Sequence, residues 1–174
     1  MGRGPEESNN TLTRLLLEYL KDSNRSDKQI AKELGTSQAT VSRLKHKLIK
    51  DGFVRHFSAI PNLDKLGYEI LAISIVKFNT ELVLQNLPKI EKMAKSWAKT
   101  RPEILFDARA EGMDVDVVNF SVHKNYAAYK DFLTETKRVW GNLLADVRFI
   151  LIDLNGPLGK PFSFEYLAEN SDEQ

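Results

Sequence analysis

Apolar residues in the first sixty positions recur at helical spacing in three short stretches. Within each stretch they fall on one face of a helix with 3.6 residues per turn, so three amphipathic helices are predicted. The apolar faces are Leu12, Leu15, Leu16, Tyr19 and Leu20 in the first helix, Ile30, Ala31 and Leu34 in the second, and Val41, Leu44 and Leu48 in the third. Asn10 is the predicted cap of the first helix, and Ser26 with Gln29 three residues later predicts a capping box for the second.

The third helix, predicted over 37–51, is the most informative of the three. Ser37 is its expected N-cap, because the Ser37 side-chain oxygen can accept the backbone N–H of Thr40. Gly35 stands just before it, where a residue with positive φ commonly follows the end of a helix. The face opposite the apolar one combines small, polar and basic residues: Ala39, Ser42, Arg43, His46 and Lys50, with Gln38 in the first turn.

Three short helices with a glycine before the last are typical of a helix-turn-helix, whose final helix enters the major groove of DNA. Ala39 and Ser42 are small enough for a close approach, whereas Arg43 has donors suited to base edges. The basic residues that follow are better placed for phosphates. The predicted DNA-contacting residues are Ser37, Gln38, Ala39, Thr40, Ser42, Arg43, His46, Lys47, Lys50 and Arg55. The alternative is that this face is only solvated, as most charged helix faces are.

Beyond residue 60 the pattern changes to strands that alternate with helices. Strands are predicted over 68–78, 104–110, 115–122 and 147–154, and helices after Thr80 and over 126–140. Pro88 either kinks the first of these helices or opens its main part after a short turn. The order βαββαβ predicts a ferredoxin-like unit of the α+β class, with an antiparallel sheet and both helices on one face.

Both faces of the predicted strand 68–78 are apolar. Because the two helices can cover only one sheet face, something else must cover the other, since monomers rarely expose a large apolar patch. The candidates are a second copy of the chain and the C-terminal tail. We expect the second copy, in a homodimer that packs sheet against sheet.

These elements divide the chain into five segments. Residues 1–9 are expected to be a disordered leader, 10–60 the helix-turn-helix domain, 61–67 a hinge, 68–154 the ferredoxin-like dimerisation and effector domain, and 155–174 a C-terminal tail. Residues 53–60 alternate imperfectly and are predicted to form a strand, as a wing or hinge. Three aromatic residues of the tail, Phe162, Phe164 and Tyr166, are expected to dock on the same or a neighbouring subunit.

Composition narrows the classes of function. The 174 residues include no cysteine, which excludes disulfides and cysteine-ligated zinc sites and fits a reducing cytoplasm. No apolar run is long enough to span a membrane, and the N-terminus is not expected to be a signal peptide. The net charge of +1 is uneven, because residues 1–64 contain eleven basic and eight acidic residues. Five of the basic residues lie between Arg43 and Arg55, a concentration typical of a surface that contacts phosphates.

The run from the third helix to residue 76 resembles the Lrp/AsnC family, the leucine-responsive and asparagine-synthase regulators. The features that carry the resemblance are the capped helix, Gly52-Phe53-Val54 after it, and the hinge from Asp64 to Tyr68 with its Leu-Gly-Tyr end. The resemblance implies a three-helix winged helix-turn-helix joined to a ferredoxin-like domain, in a homodimer or an octamer of dimers. It also implies transcription regulation, and we expect a cytoplasmic regulator without a cofactor. A dimer sets two recognition helices about one DNA turn apart, so a pseudo-palindromic double-stranded site is expected.

Members of that family often sense an amino acid near a G-x-x-D turn between the second and third strands. Here Gly112 is followed by Asp114 and Asp116, so the acids stand two and four residues after the glycine, not three. Gly112, Asp114 and Asp116 are the effector residues that the resemblance implies. A simple turn role for Asp114 is an equally open interpretation.

Two other functions stay open at this point. Sirohaem decarboxylases are enzymes on a similar regulator-like fold, and such an enzyme would use His123 and Arg109 here. It would not need a basic recognition helix, so the chain is not expected to be an enzyme. A DNA-free assembly or amino-acid-binding module would lack the basic face altogether. The three histidines, His46, His56 and His123, are not at metal-ligand spacing, so no metal site is expected.

Overall fold

A computed structural model of the chain describes residues 5–169. The first helix, α1, spans Pro5–Lys21 and so begins five residues before the predicted cap at Asn10. Proline is well tolerated at the first position of a helix, because its φ is already helical and its missing N–H would have no intrahelical partner. The predicted leader over 1–9 therefore overlaps the start of α1 at residues 5–9, and residues 1–4 lie outside the described part of the chain.

The next two helices form the predicted helix-turn-helix. Helix α2 spans Asp27–Glu33 and helix α3 spans Gln38–Lys50. One apolar cluster joins them to α1, and each of its members is at most 5% exposed: Leu12, Leu15, Tyr19, Ile30, Ala31, Val41, Leu44 and Leu48. These residues lie at the helical positions that the sequence pattern marked as buried, so the three-helix prediction is confirmed.

The strand predicted over 53–60 is not formed. Between α3 and the first strand of the sheet, none of the described residues is assigned to a strand. Val54 packs on the helical core and donates its N–H to the carbonyl of Leu48 over 3.0 Å, but Phe53 is 62% exposed. A strand needs a hydrogen-bonded neighbour. Nothing within residues 5–169 supplies one here, so the described helix-turn-helix lacks the predicted wing strand.

The chain divides into two compact units. The first contains the described residues up to Ile60 and those from Lys160 onwards, and the second runs from Pro61 to Gly159. Helix α7, Glu165–Glu169, packs against α1, and its Ala168 is fully buried. The later part of the predicted tail thus belongs to the helix-turn-helix unit of its own chain.

The second unit has the predicted order βαββαβ. Its elements are β1 Ile70–Phe78, α4 Thr80–Gln85, α5 Leu87–Lys99, β2 Ile104–Arg109, β3 Val117–His123, α6 Tyr126–Trp140 and β4 Leu144–Asp153. The four strands are antiparallel in the order β2-β3-β1-β4. Pro88 lies in the first turn of α5, after a break at Asn86, so it opens the main helix and does not kink a longer one. The α+β class is confirmed.

The two faces of the sheet differ in what covers them. On the helix side, Ala72, Ser74 and Val76 of β1 are buried. Ring contacts join α6 to this face, with Tyr129 of α6 against Phe149 at 5.7 Å. On the opposite side, Ile73 pairs with Phe120 and Ile150, and this face is apolar but uncovered in the single chain: Phe106 is 50%, Phe120 37% and Ile150 51% exposed. We call it the open sheet face.

Candidate DNA-binding surface

The turn that places helix α3 is built from local hydrogen bonds. Ser26 caps α2 in a reciprocal box: its Oγ accepts the N–H of Gln29 over 3.3 Å, and its own N–H donates to Gln29 Oε1 over 2.8 Å. Gly35 adopts φ +62°, a conformation that other residues rarely adopt. Thr36 then donates its N–H to the carbonyl of Ala31 over 2.9 Å, which fixes the direction of the chain entering α3.

The start of α3 is capped as its sequence predicts. The Oγ of Ser37 accepts the N–H of Thr40 over 3.1 Å and lies 2.9 Å from the Thr40 hydroxyl oxygen. The first turn contains no acidic residue, whereas Lys47 and Lys50 lie in the last turn. The positive end of the helix dipole is therefore not neutralised by a side chain of its own helix, which suits an approaching phosphate.

The back of α3 is anchored while its front is accessible. Val41, Leu44 and Leu48 are at most 2% exposed. On the other side, the exposed predicted contacts are Ser37, Gln38, Ala39, Arg43, His46, Lys50 and Arg55, and the half-buried ones are Thr40, Ser42 and Lys47. An open depression at the start of the helix is lined by Thr11, Gly35, Thr36, Ser37, Thr40, Arg43 and Leu44. The predicted front is thus at least partly accessible at every position, while the back of α3 is buried in the helical core.

His46 is held in one orientation by its own helix. Its Nδ1 lies 2.8 Å from the carbonyl oxygen of Ser42. Because a carbonyl can only accept, Nδ1 carries the hydrogen, and in the neutral ring Nε2 is then the acceptor. His46 is exposed, so this Nε2 can accept a hydrogen bond from a base edge.

Lys45 has a structural position that the sequence pattern did not identify. Its ammonium lies 5.2 Å from the ring centre of Tyr19 and 4.8 Å from that of Phe57. The two rings meet edge to face at 4.9 Å. Burial and then the nearby Asp27 carboxylate raise the pKa of Tyr19 to about 12. Lys45, one of the five basic residues between Arg43 and Arg55, therefore packs between α1 and the chain that follows α3. Only the folded chain reveals this arrangement.

The candidate effector residues form a turn at one end of the sheet. Gly112 has φ +101°, and the two residues after it, Met113 and Asp114, also have positive φ at 52° and 58°. Asp114 is exposed and pairs with Lys77 over 2.8 Å. Asp116 accepts the backbone N–H of Phe78 over 2.8 Å, where the pairing of β1 with β4 shifts register. The hydrogen bond to Asp114 raises the pKa of Lys77, as does the nearby charge of Asp116.

The residues of the enzyme alternative do not meet. His123 is 3% exposed, and its Nε2 lies 2.9 Å from the Ser121 hydroxyl. Burial lowers its pKa, opposed by the charge of Glu103. Arg109 pairs with Val117, at the other end of β3 from His123, and binds Glu91 over 3.1 Å. Six residues of strand separate the two positions by about 20 Å. Within residues 5–169 there is also no group of three acidic or histidine side chains that could hold a metal ion.

Comparison with known proteins agrees with this geometry. Residues 13–56, about a quarter of the chain, match the IclR helix-turn-helix domain. An uncharacterised HTH-type transcriptional regulator of Pyrococcus furiosus is 34% identical over 80 residues, which is 46% of this chain and 54% of that protein. The chain spans about half the length of the curated relatives it matches. These relatives are named as HTH-type transcriptional regulators.

Solved structures extend the likeness beyond the first unit. An AsnC family transcriptional regulator from Agrobacterium tumefaciens has a TM-score of 0.66 at 23% identity, covering 81% of this chain and 88% of its own. The chain has the AsnC/Lrp fold. A transcriptional regulator of Neisseria meningitidis, solved as a complex with L-Met, has a TM-score of 0.69 at 14% identity and covers 88% of this chain and 92% of its own. The resemblance seen in the sequence is therefore confirmed as a shared AsnC/Lrp fold. No helix in the described residues is long and apolar enough to cross a membrane.

Proposed function

We propose that the protein is a sequence-specific DNA-binding transcriptional regulator. The observation that carries this proposal is helix α3, with its apolar side in the core and its polar and basic side accessible. Gln38 and Arg43 are the residues that read bases, because their side chains are exposed near the start of the helix and have donors that match the edges of A and G. Lys47, Lys50 and Arg55 bind phosphates, and Ser37, Ala39, Thr40, Ser42 and His46 complete the contact surface.

The regulator acts as a homodimer formed through the open sheet face. The apolar side chains of that face, including Ile73, Phe106, Phe120 and Ile150, support this proposal because burying them against a second copy removes them from water. A two-fold dimer presents two copies of α3, so the DNA site is a pseudo-palindrome with half-sites about one turn apart. An octamer of dimers is the larger assembly compatible with the fold. Cytoplasmic localisation, the compartment in which such a regulator meets DNA, is part of the same proposal.

An amino acid is the proposed effector class. The complex of the Neisseria regulator with L-Met supports it, and the charges near Gly112 suit a zwitterion. The Lys77 ammonium can receive a carboxylate, whereas the exposed Asp114 can receive an ammonium group. Asp116 holds the backbone of Phe78 and keeps the turn in place. The effector would bind two oligomeric states of the regulator with different affinities. It would thereby shift the balance between these states and change the occupancy of the DNA site.

Binding of defined DNA by matched variants tests the DNA-reading proposal. Sites are first selected from random DNA, and affinity for the best site is then compared with affinity for a scrambled duplex. Arg43→Ala should weaken the specific site by about 1–3 kcal/mol and leave the scrambled duplex much less affected. Lys50→Ala is the control, since it should weaken both duplexes about equally and lower the salt slope by roughly one for each copy of α3 engaged.

The outcomes separate the possible roles of Arg43. Equal loss on both duplexes would make Arg43 a phosphate contact and would contradict its assignment as a base reader. A wild-type chain that selects no sequence and binds no duplex would contradict DNA binding itself. An amino-acid panel added to the same selection tests the effector, because a ligand that regulates must change the affinity for the site.

A further inference from the structure

Basic side chains without an acidic partner are concentrated on one helix of the second unit. Residues 61–159 contain thirteen basic and thirteen acidic residues, so the unit as a whole is neutral. Six of the basic residues have an ion pair or a backbone partner within the described chain: Lys77, Arg101, Arg109, Lys124, Arg138 and Arg148. Of the seven lysines that remain, four lie on α5.

The four lysines form a ridge on the solvent side of α5. They are Lys89, Lys92, Lys95 and Lys99, and all four are exposed. At 100° per residue, the last three fall within about 60° of one another, and Lys89 lies roughly 60° further round. Lys89 and Lys99 are ten positions apart, so the ridge is about 15 Å long along the helix. The opposite side of α5 faces the unit, with Ile90 buried and Trp97 half-buried.

Nothing on the helix neutralises this ridge. The one acidic residue of α5, Glu91, is bound to Arg109 over 3.1 Å. Lys99 in the last turn gains from the helix dipole, but the other three lysines have no such benefit. The four ammonium groups lie within about 15 Å of one another and repel each other slightly. A bound polyanion takes the place of their counterions and removes this repulsion.

We propose that the α5 ridge, Lys89, Lys92, Lys95 and Lys99, is a second DNA-contacting surface, which binds the backbone of duplex outside the half-sites read by α3. Lysine suits this role because its ammonium is a point charge that binds phosphate without a fixed geometry and reads no base. The ridge therefore adds affinity for longer DNA and no sequence preference. This inference rests on the proposed function, because the ridge adds contacts to a duplex that is already bound through α3.

Duplex length and salt test the ridge. Affinity is measured over a salt series for the full-length chain on a selected site of roughly 25 bp, two half-sites and short flanks, and on the same site in a duplex about three times longer. The double variant Lys92→Ala/Lys95→Ala removes two positive charges from each ridge. On the long duplex, the plot of log affinity against log salt should therefore become less steep by about two for each ridge that contacts DNA. The short duplex should be bound as by the wild type. Alanine is the best helix former, so α5 should persist, which circular dichroism checks.

Two matched variants complete the design. Lys92→Arg/Lys95→Arg keeps both charges and should restore the long-duplex slope. Lys130→Ala/Lys137→Ala removes two unpaired, exposed lysines from α6 of the same unit and should leave the slope unchanged.

Each other result contradicts a defined part of the argument. If the α5 and α6 pairs lower the slope equally, or if neither changes it, the ridge makes no DNA contact of its own. If the α5 pair weakens short and long duplexes alike, its effect does not come from DNA outside the half-sites, and the proposal fails. In each of these cases the wild type still binds its site, so the proposed function stands. Absence of wild-type binding to both duplexes would overturn both.

Discussion

Ile150 on the open sheet face offers a quantitative test of the dimer. It is 51% exposed on β4 and lies beside Ile73 of β1. Burying a whole isoleucine side chain contributes about 1.5–3 kcal/mol, so covering its exposed half contributes roughly half of that. A two-fold dimer contains the residue twice. Ile150→Ala should therefore cost the dimer about 1.5–3 kcal/mol, a ten- to hundredfold rise in its dissociation constant at about 1.4 kcal/mol per tenfold.

Sedimentation equilibrium over a concentration series measures this constant directly. Leu84→Ala is the matched control, because Leu84 is a 69% exposed aliphatic residue of the same unit that lies on α4, away from the open sheet face. It should leave the dissociation constant unchanged. Equal effects of the two substitutions would refute the reasoning, and a wild-type chain that stays monomeric at micromolar concentration would rule out sheet-to-sheet packing altogether.

Three further predictions concern contacts within the units. Because the folded pKa of Tyr19 is about 12 against an ordinary 10.0, its stabilising contribution is full below pH 10 and is lost as pH rises towards 12. Denaturant titrations should show that loss, and Tyr19→Phe should reduce its steepness. Asp116→Ala should lower the free energy of unfolding by about 1–3 kcal/mol through the lost Phe78 hydrogen bond, whereas Asp114→Ala, at an 81% exposed side chain, should change it by at most about 1 kcal/mol. Ala168→Asp should place an unpaired charge against α1 and lower the melting temperature of the first unit, while the exposed Glu169→Ala should not.

The helices of the first unit follow from interactions between residues close in sequence. A cap joins Ser37 to a residue three positions later, and the apolar face repeats every three or four residues. Both signals involve only residues a few positions apart, so they can be recognised without the tertiary structure. The sequence alone therefore determined the helix-turn-helix, its buried residues and its polar front. The alternating strands and helices of the second unit determined its βαββαβ order for the same reason.

Contacts between distant residues were decided only by the tertiary structure. Lys45 meets Phe57 because the chain after α3 folds back on α1, and Asp116 meets Phe78 across the sheet. Residues 53–60 have a strand-like pattern, yet without a neighbouring strand their backbone forms no ladder, and α7 packs on a helix that begins 160 positions earlier. Each of these depends on which surfaces remain uncovered once the local elements have formed, and periodicity along a sequence contains no information about that.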